Sequence, residues 1–218
     1  MAGEAIRLNV ILNLKQKTMK NVLKDKKVAI VATNGFEEVE LTQPREALEK
    51  AGAKTYLVSP EEGKIKAWDH TDWGGEYEVD VLISEANPKD YDALLLPGGV
   101  MNPDHLRKEE KVIDFVNSFF EAGKPVAAIC HAPQVLIETH ALKGRTVTSY
   151  PSVKTDLINA GAHWVDSEVV VDKGLVTSRK PDDIPAFNEQ MIRLFAKEGY
   201  QEVKEYTIYD ENMRENNP

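Results

Sequence analysis

Aliphatic runs that alternate with helical spacings predict an α/β domain with a mostly parallel central sheet and helices on both of its faces, wound in doubly wound order. Two observations carry that expectation. The runs "VAIV", "ALLL" and "VAAI" are apolar at every position, which is the mark of strands buried on both faces. Helical periodicities follow such runs, and glycines at Gly52 and Gly123 close two of them, as the C-terminal stop of a helix requires.

In order, "KKVAIVAT" (Lys26–Thr33) reads as the first strand, ending in Asn34-Gly35. The next segment, "LTQPREALEKAG", places Leu41, Ala47 and Leu48 on one helical side. "KTYLVSP" is a second strand. From Gly63 to Ser84 the pattern shortens and alternates around "WDHTDWGGEYEVDVLIS", which predicts hairpins. "YDALLLPGGV" is a strand running into Pro97-Gly98-Gly99, and "EEKVIDFVNSFFEAGK" is a helix. "PVAAIC" then predicts a strand and "APQVLIETHAL" a helix. "RTVTSY" and "EVVVDKGLVTS" read as further strands, and "PDDIPAFNEQMIRLFAKEG" as a final helix opened by acidic residues and Pro185. The expected organisation is an N-terminal extension at 1–24, one α/β domain at 25–198 and an acidic C-terminal extension at 199–218.

The 218 residues, 42% of them hydrophobic, suffice for one well-cored domain. Acidic residues outnumber basic ones 36 to 27, for a net charge of −9, so no nucleic-acid partner is expected. A single cysteine precludes an intrachain disulfide and fits a reducing cytoplasm. No apolar run approaches the ~20 residues that cross a bilayer, and the N-terminus lacks the small-residue cleavage site of a signal peptide. A cytoplasmic location without membrane attachment is the expectation.

In a doubly wound sheet, ligands bind beyond the carboxyl ends of the strands. Three loops meet that condition: Glu37–Glu40 after the first strand, Gly98-Gly99 after "ALLL" and Cys130-His131 after "VAAI". A cysteine at a strand-to-helix turn sits near unpaired N–H groups that favour its thiolate, the nucleophilic form. The competing reading is a buried core cysteine. Glu40 could hydrogen-bond the sulfur, or belong to a solvated helix start. Gly98-Gly99 offers backbone N–H groups free of side-chain obstruction, as an oxyanion requires, or is an ordinary tight turn. His131 is the natural base, although direct pairing of neighbours in sequence demands unusual local geometry. Asp104 is a candidate to orient it, or a helix cap. Asp69, His70 and Asp72 resemble metal ligands but lack a second cluster of recognisable spacing, so no metal is expected. His105 is placed beside Asp104 in the same cleft. His140 and His163 are read as structural or exposed, and Trp68 and Trp73 as packing or interface residues.

The segments "NGFEEVELTQP", "DALLLPGGVMNPDHLR", "GKPVAAICHAPQVL" and "VTSRKPDDIPAF" together resemble the DJ-1/PfpI family, particularly its bacterial PfpI-like branch of intracellular proteases and stress proteins. The resemblance covers residues 26–198. It implies a flavodoxin-like three-layer sandwich, a nucleophilic Cys130, Glu40 touching its sulfur, and oxyanion donors in the backbone amides of Gly99 and His131. No cofactor is implied. It further implies a homo-oligomer, a dimer or higher, in which Asp104 of an adjacent subunit orients His131. Two departures stand out. Ala132 replaces the glycine common after Cys-His, and Asp104 is shorter than the glutamate of protease-like members.

Three activities fit this pattern: a cysteine hydrolase of small peptides or amides, a glyoxalase or deglycase acting on reactive dicarbonyls (small-molecule aldehydes) and their adducts, and a non-enzymatic oxidation sensor or holdase whose Cys130 is oxidised to a sulfinic acid. The Gly-x-Cys-x-Gly and His-x-Glu pattern of class I glutamine amidotransferases is missing, and so is the phosphate loop of an electron carrier.

Overall fold

The computed structural model describes residues 21–197. Seven strands form one sheet in the order β10-β11-β7-β6-β1-β2-β5. Its centre consists of β1 (Lys27–Val31), β2 (Lys54–Ser59), β6 (Ala93–Leu96) and β7 (Val126–Ile129), all parallel. One edge carries β5 (Val81–Leu82), and the other carries β11 (Leu175–Ser178), parallel to β7, followed by the antiparallel β10 (Val169–Asp172). The continuous apolar runs become these central strands because both faces are covered. Val28 and Ile30 enter one core with Leu41, Leu48, Leu95, Phe187 and Met191, while Ala29 and Val31 enter the other with Leu94, Phe115, Phe119 and Val126.

Helices α1 (Glu38–Lys50) and α5 (Ile184–Phe195) supply the first core. Helices α2 (Met101–Leu106), α3 (Glu110–Glu121) and α4 (Lys154–Asn159) cover the opposite face with a 3-10 segment at Ala132–Ile137. The result is the expected three-layer sandwich. The predicted hairpin region holds β3 (Lys64–Asp69) and β4 (Asp72–Glu78), antiparallel and joined near their tip by an edge-to-face Trp68–Trp73 contact at 5.5 Å.

Several local expectations are corrected. The segment after Cys130 is a 3-10 helix where the sequence predicts an α-helix. Pro133 lacks an N–H, and the bonds Gln134 N–H to His131 O, Thr139 N–H to Leu136 O and His140 N–H to Ile137 O all span three residues. A period of 3.0 cannot be told from 3.6 in so short an apolar run. "RTVTSY" yields only β8 (Thr146–Val147), which pairs with β9 (His163–Trp164) outside the main sheet. Helices α2 and α4 were not foreseen; each is one to two turns long, too short to show a period. Leu23, assigned from sequence to the extension, is fully buried and donates its N–H to Ala51 O at 2.8 Å, so packing reaches back past residue 25. The rest of the two expected extensions, apart from residues 21–24, lies outside the described residues.

Candidate active site

The three loops singled out from sequence converge because β7, β6 and β1 are adjacent in the sheet. Cys130 leaves β7 with a φ of 64°, a left-handed conformation that costs a non-glycine residue roughly 1–3 kcal/mol. Both of its backbone polar groups hold it there. Its N–H donates to Ser178 O at 2.9 Å, and its carbonyl accepts from Tyr150 N–H at 2.8 Å. This bend is the unusual local geometry that neighbouring residues need in order to pair, and it brings Cys130 Sγ to 3.2 Å from His131 Nδ1.

Glu40, on the first turn of α1, is wholly buried beneath the sulfur loop. Its Oε2 accepts the Gly98 N–H at 3.0 Å, and its Oε1 is buried without a hydrogen-bond partner. Burial, followed by its contact with Cys130, moves the carboxyl group from the usual 4.5 up to about 8, the burial raising it and the contact opposing. Burial, and then the neighbouring Glu40, push the thiol up as well. At neutral pH both groups therefore keep their protons. Opposing that rise, the backbone N–H groups of Gly99 and His131 are directed at the sulfur. These are the amides expected from sequence to serve an oxyanion.

Both glycines are required by space. A Cβ on Gly98 would lie 2.6 Å from Glu40 Oε2 and Ile129 O and 2.8 Å from Cys130 Cβ. Gly99 has a φ of 80°, and a Cβ there would lie 2.6 Å from Gly35 O. Asn102, in α2, ties these loops together: its Oδ1 accepts Thr33 N–H at 2.8 Å, and its Nδ2 donates to Pro97 O and Gly98 O at 2.8 and 3.1 Å. Each bond satisfies a backbone group that would otherwise be buried unpaired.

His131 is 8% exposed, and burial lowers its pKa from the usual 6.5. The imidazole is consequently neutral at pH 7 and able to accept a proton. Its Nε2 meets Ser152 Oγ at 3.1 Å, and the Tyr150 ring stacks on it with centroids 4.7 Å apart and planes 21° apart. Asp104, expected to orient this ring, lies exposed on α2 and forms no side-chain hydrogen bond or ion pair among the described residues. Within one chain the ring is held by Ser152 and Tyr150. His105 is exposed on the same short helix; His140 and His163 are exposed.

The hairpin tip groups Asp69 and His70 with Glu37, where the sequence suggested Asp72. His70 Nδ1 is 2.7 Å from Asp69 Oδ1 and 3.6 Å from Glu37 Oε1. Asp72 instead accepts its neighbour's N–H, from Trp73. His70 is raised above its usual pKa, first by its hydrogen bond to Asp69 and then by the charge of Glu37.

Sequence reasoning missed Asn102, Tyr150, Ser152 and Ser178. "SYPS" looks like any polar turn after a short strand, and only the chain's return over the Cys130 loop gives it meaning.

The sequence model of the DJ-1/PfpI family matches residues 26–194. A Bacillus subtilis (strain 168) protein named "Putative cysteine protease YraA" is 46% identical over 169 residues, covering 78% of this chain and 98% of that protein. Among solved structures, Drosophila melanogaster DJ-1beta is similar with a TM-score of 0.71 and 30% identity, over 79% of this chain and 91% of that one. A two-domain Anabaena variabilis protein containing DJ-1/ThiJ/PfpI-like and ferritin-like domains gives a TM-score of 0.73 at 35% identity, over 78% of this chain; the match spans 48% of that longer protein. No described helix is long and apolar enough to cross a membrane.

Proposed function

The chain belongs to the DJ-1/PfpI family, and from that membership and the geometry of the Cys130 loop we propose that it is a cysteine-dependent hydrolase of small carbonyl compounds. The observation that carries this reading is the Cys130 Sγ to His131 Nδ1 contact of 3.2 Å, with two backbone N–H groups facing the same sulfur.

His131, neutral at pH 7, takes the thiol proton on Nδ1 as Sγ forms a bond to the carbonyl carbon. The carbonyl π pair moves onto oxygen, where the N–H groups of Gly99 and His131 receive it. Glu40, kept protonated by burial, adds no competing negative charge beneath the adduct. With an α-ketoaldehyde the product is a hemithioacetal. Transfer of its C1 proton to C2 gives the thioester of a 2-hydroxy acid, and water cleaves that thioester to return the thiol. The sum is ketoaldehyde plus water to 2-hydroxy acid, with no external oxidant. With an amide, the same adduct expels an amine that takes its proton from His131, and the resulting thioester is hydrolysed in turn.

The near-complete burial of Cys130, 6% exposed, favours the small dicarbonyl over a polypeptide. The peptide or amide reading draws its support from the name of the Bacillus relative. The test is glutathione-free turnover of methylglyoxal to lactate by wild type and by Cys130→Ser. Turnover that falls at least 10³-fold in the variant supports the dicarbonyl reading. Cys130-dependent cleavage of small peptide amides without lactate formation shifts the reading to the amide substrate. Neither activity in the wild type, or turnover indifferent to Cys130, overturns it.

A further inference from the structure

We propose that Ser152 is the residue that positions His131 and fixes the tautomer whose bare Nδ1 faces the sulfur, a part expected from sequence of Asp104. The inference rests on the hydrolase reading of Cys130 and assigns a group within it.

The ring has two nitrogens to satisfy. Nδ1 faces Cys130 Sγ at 3.2 Å and Nε2 faces Ser152 Oγ at 3.1 Å. A hydroxyl both donates and accepts, unlike a carboxylate, which only accepts. While sulfur holds its proton, Nδ1 must be bare, and Nε2–H donates to Ser152 Oγ. When the thiol proton reaches Nδ1, the ring becomes the imidazolium and Nε2–H still donates to Ser152 Oγ, so the hydroxyl accepts in both states and keeps Nδ1 turned to the sulfur. A carboxylate at the same place would hold the same tautomer and add a negative charge that favours the imidazolium.

The loop is built to hold this hydroxyl in place. Tyr150 N–H is bonded to Cys130 O at 2.8 Å, its ring stacks on His131, and Ser152 follows on the short 3-10 turn Pro151–Val153, where Val153 N–H returns to Tyr150 O at 3.2 Å. Cys130, its histidine and the hydroxyl that steers it are thus tied through one backbone hydrogen bond. No charged side chain perturbs the ring, whose shift comes from burial alone. The titratable groups against the pair are Tyr150, whose ring stacks on His131, and Glu40, which faces the sulfur from α1.

The experiment compares wild type, Ser152→Ala, Ser152→Thr and Asp104→Asn by the pH profile of Cys130 alkylation with iodoacetamide, and by kcat and KM where turnover is found. Alkylation needs no substrate, so it reads His131 even if every hydrolase assay is blank. Loss of one half-exposed hydrogen bond predicts a roughly 3- to 10-fold slower alkylation at pH 7 for Ser152→Ala, with a displaced acid limb and a fall in kcat at unchanged KM. Ser152→Thr, which keeps the hydroxyl, should restore both. Asp104→Asn should leave the profile in place. A Ser152→Ala profile that superimposes on wild type, or an Asp104→Asn profile that moves while Ser152→Ala does not, overturns the assignment.

Discussion

Two histidines in this chain each place Nδ1 against a partner, and they become opposite things. His131 meets a sulfur at 3.2 Å, is nearly buried, and is lowered in pKa. His70 meets the Asp69 carboxylate at 2.7 Å on an exposed hairpin tip, with 68% of its side chain in contact with solvent, and is raised. At neutral pH the first is an uncharged base, and the second leans towards the imidazolium of a surface ion pair. In sequence both stand beside a potential partner, in "AICHA" and "WDHTD". The difference lies in what covers them. A loop over the sheet edge dehydrates His131, while among the described residues nothing comparable shields His70. Proximity to a partner therefore leads to opposite protonation preferences, set by burial and by the partner's charge.

Substitutions can break this contrast, beginning with the largest expected effect. Gly98→Ala forces a methyl group into the space where Glu40, the Ile129 carbonyl and Cys130 meet. Backbone must move, at a cost of about 1–3 kcal/mol, and the sulfur moves with it. Loss of nearly all Cys130-dependent activity is expected alongside a lowered urea midpoint. Unchanged activity in a folded variant would show that the loop has more freedom than its contacts imply.

Glu40→Gln comes next. The carboxyl group titrates at about 8 in the fold and near 4.5 in the unfolded chain. Because the folded value is raised, its contribution to stability is complete below pH 4.5 and is lost as pH rises to 8. Wild type should therefore lose stability across that interval, by an amount on the order of 1–3 kcal/mol. The glutamine variant should show a flatter curve of Tm against pH in the same window. Its activity at pH 7 should stay close to that of wild type, because a neutral amide, like the protonated carboxyl group, adds no negative charge beneath the adduct. Parallel Tm curves would show that Glu40 is ionised in the fold.

His70→Ala is the smallest. The pair it breaks is exposed and screened, so the melting temperature and the alkylation rate of Cys130 should both match wild type. A slowed alkylation rate would tie the hairpin tip to the active site and weaken the contrast.

The sheet was legible because "VAIV", "ALLL" and "VAAI" admit little except strands buried on both faces, and the rule about carboxyl ends then located the Glu40, Gly99 and Cys130 loops. The positive φ of Cys130 was not legible. It is imposed by bonds to Ser178 and Tyr150, residues 48 and 20 positions away that carry no local signature. Ser152 was hidden for the same reason, since a serine in a turn declares nothing until the chain folds back. Asn102 was passed over because α2 is too short to show a period. Asp104 was proposed first as a carboxylate near the histidine and then, from the family resemblance, as one supplied by an adjacent subunit; in the single chain it is exposed and makes no side-chain hydrogen bond or ion pair among the described residues.

The central claim is that burial makes His131 a neutral base paired with Cys130. A titration of the imidazole nitrogens by NMR, on wild type and Cys130→Ser, tests it most directly. His131 should titrate below 6.5 and respond to the Cys130 substitution, whereas His70 should titrate above 6.5 and ignore it. A His131 that titrates with or above His70, or that is blind to the loss of the sulfur, would contradict the account.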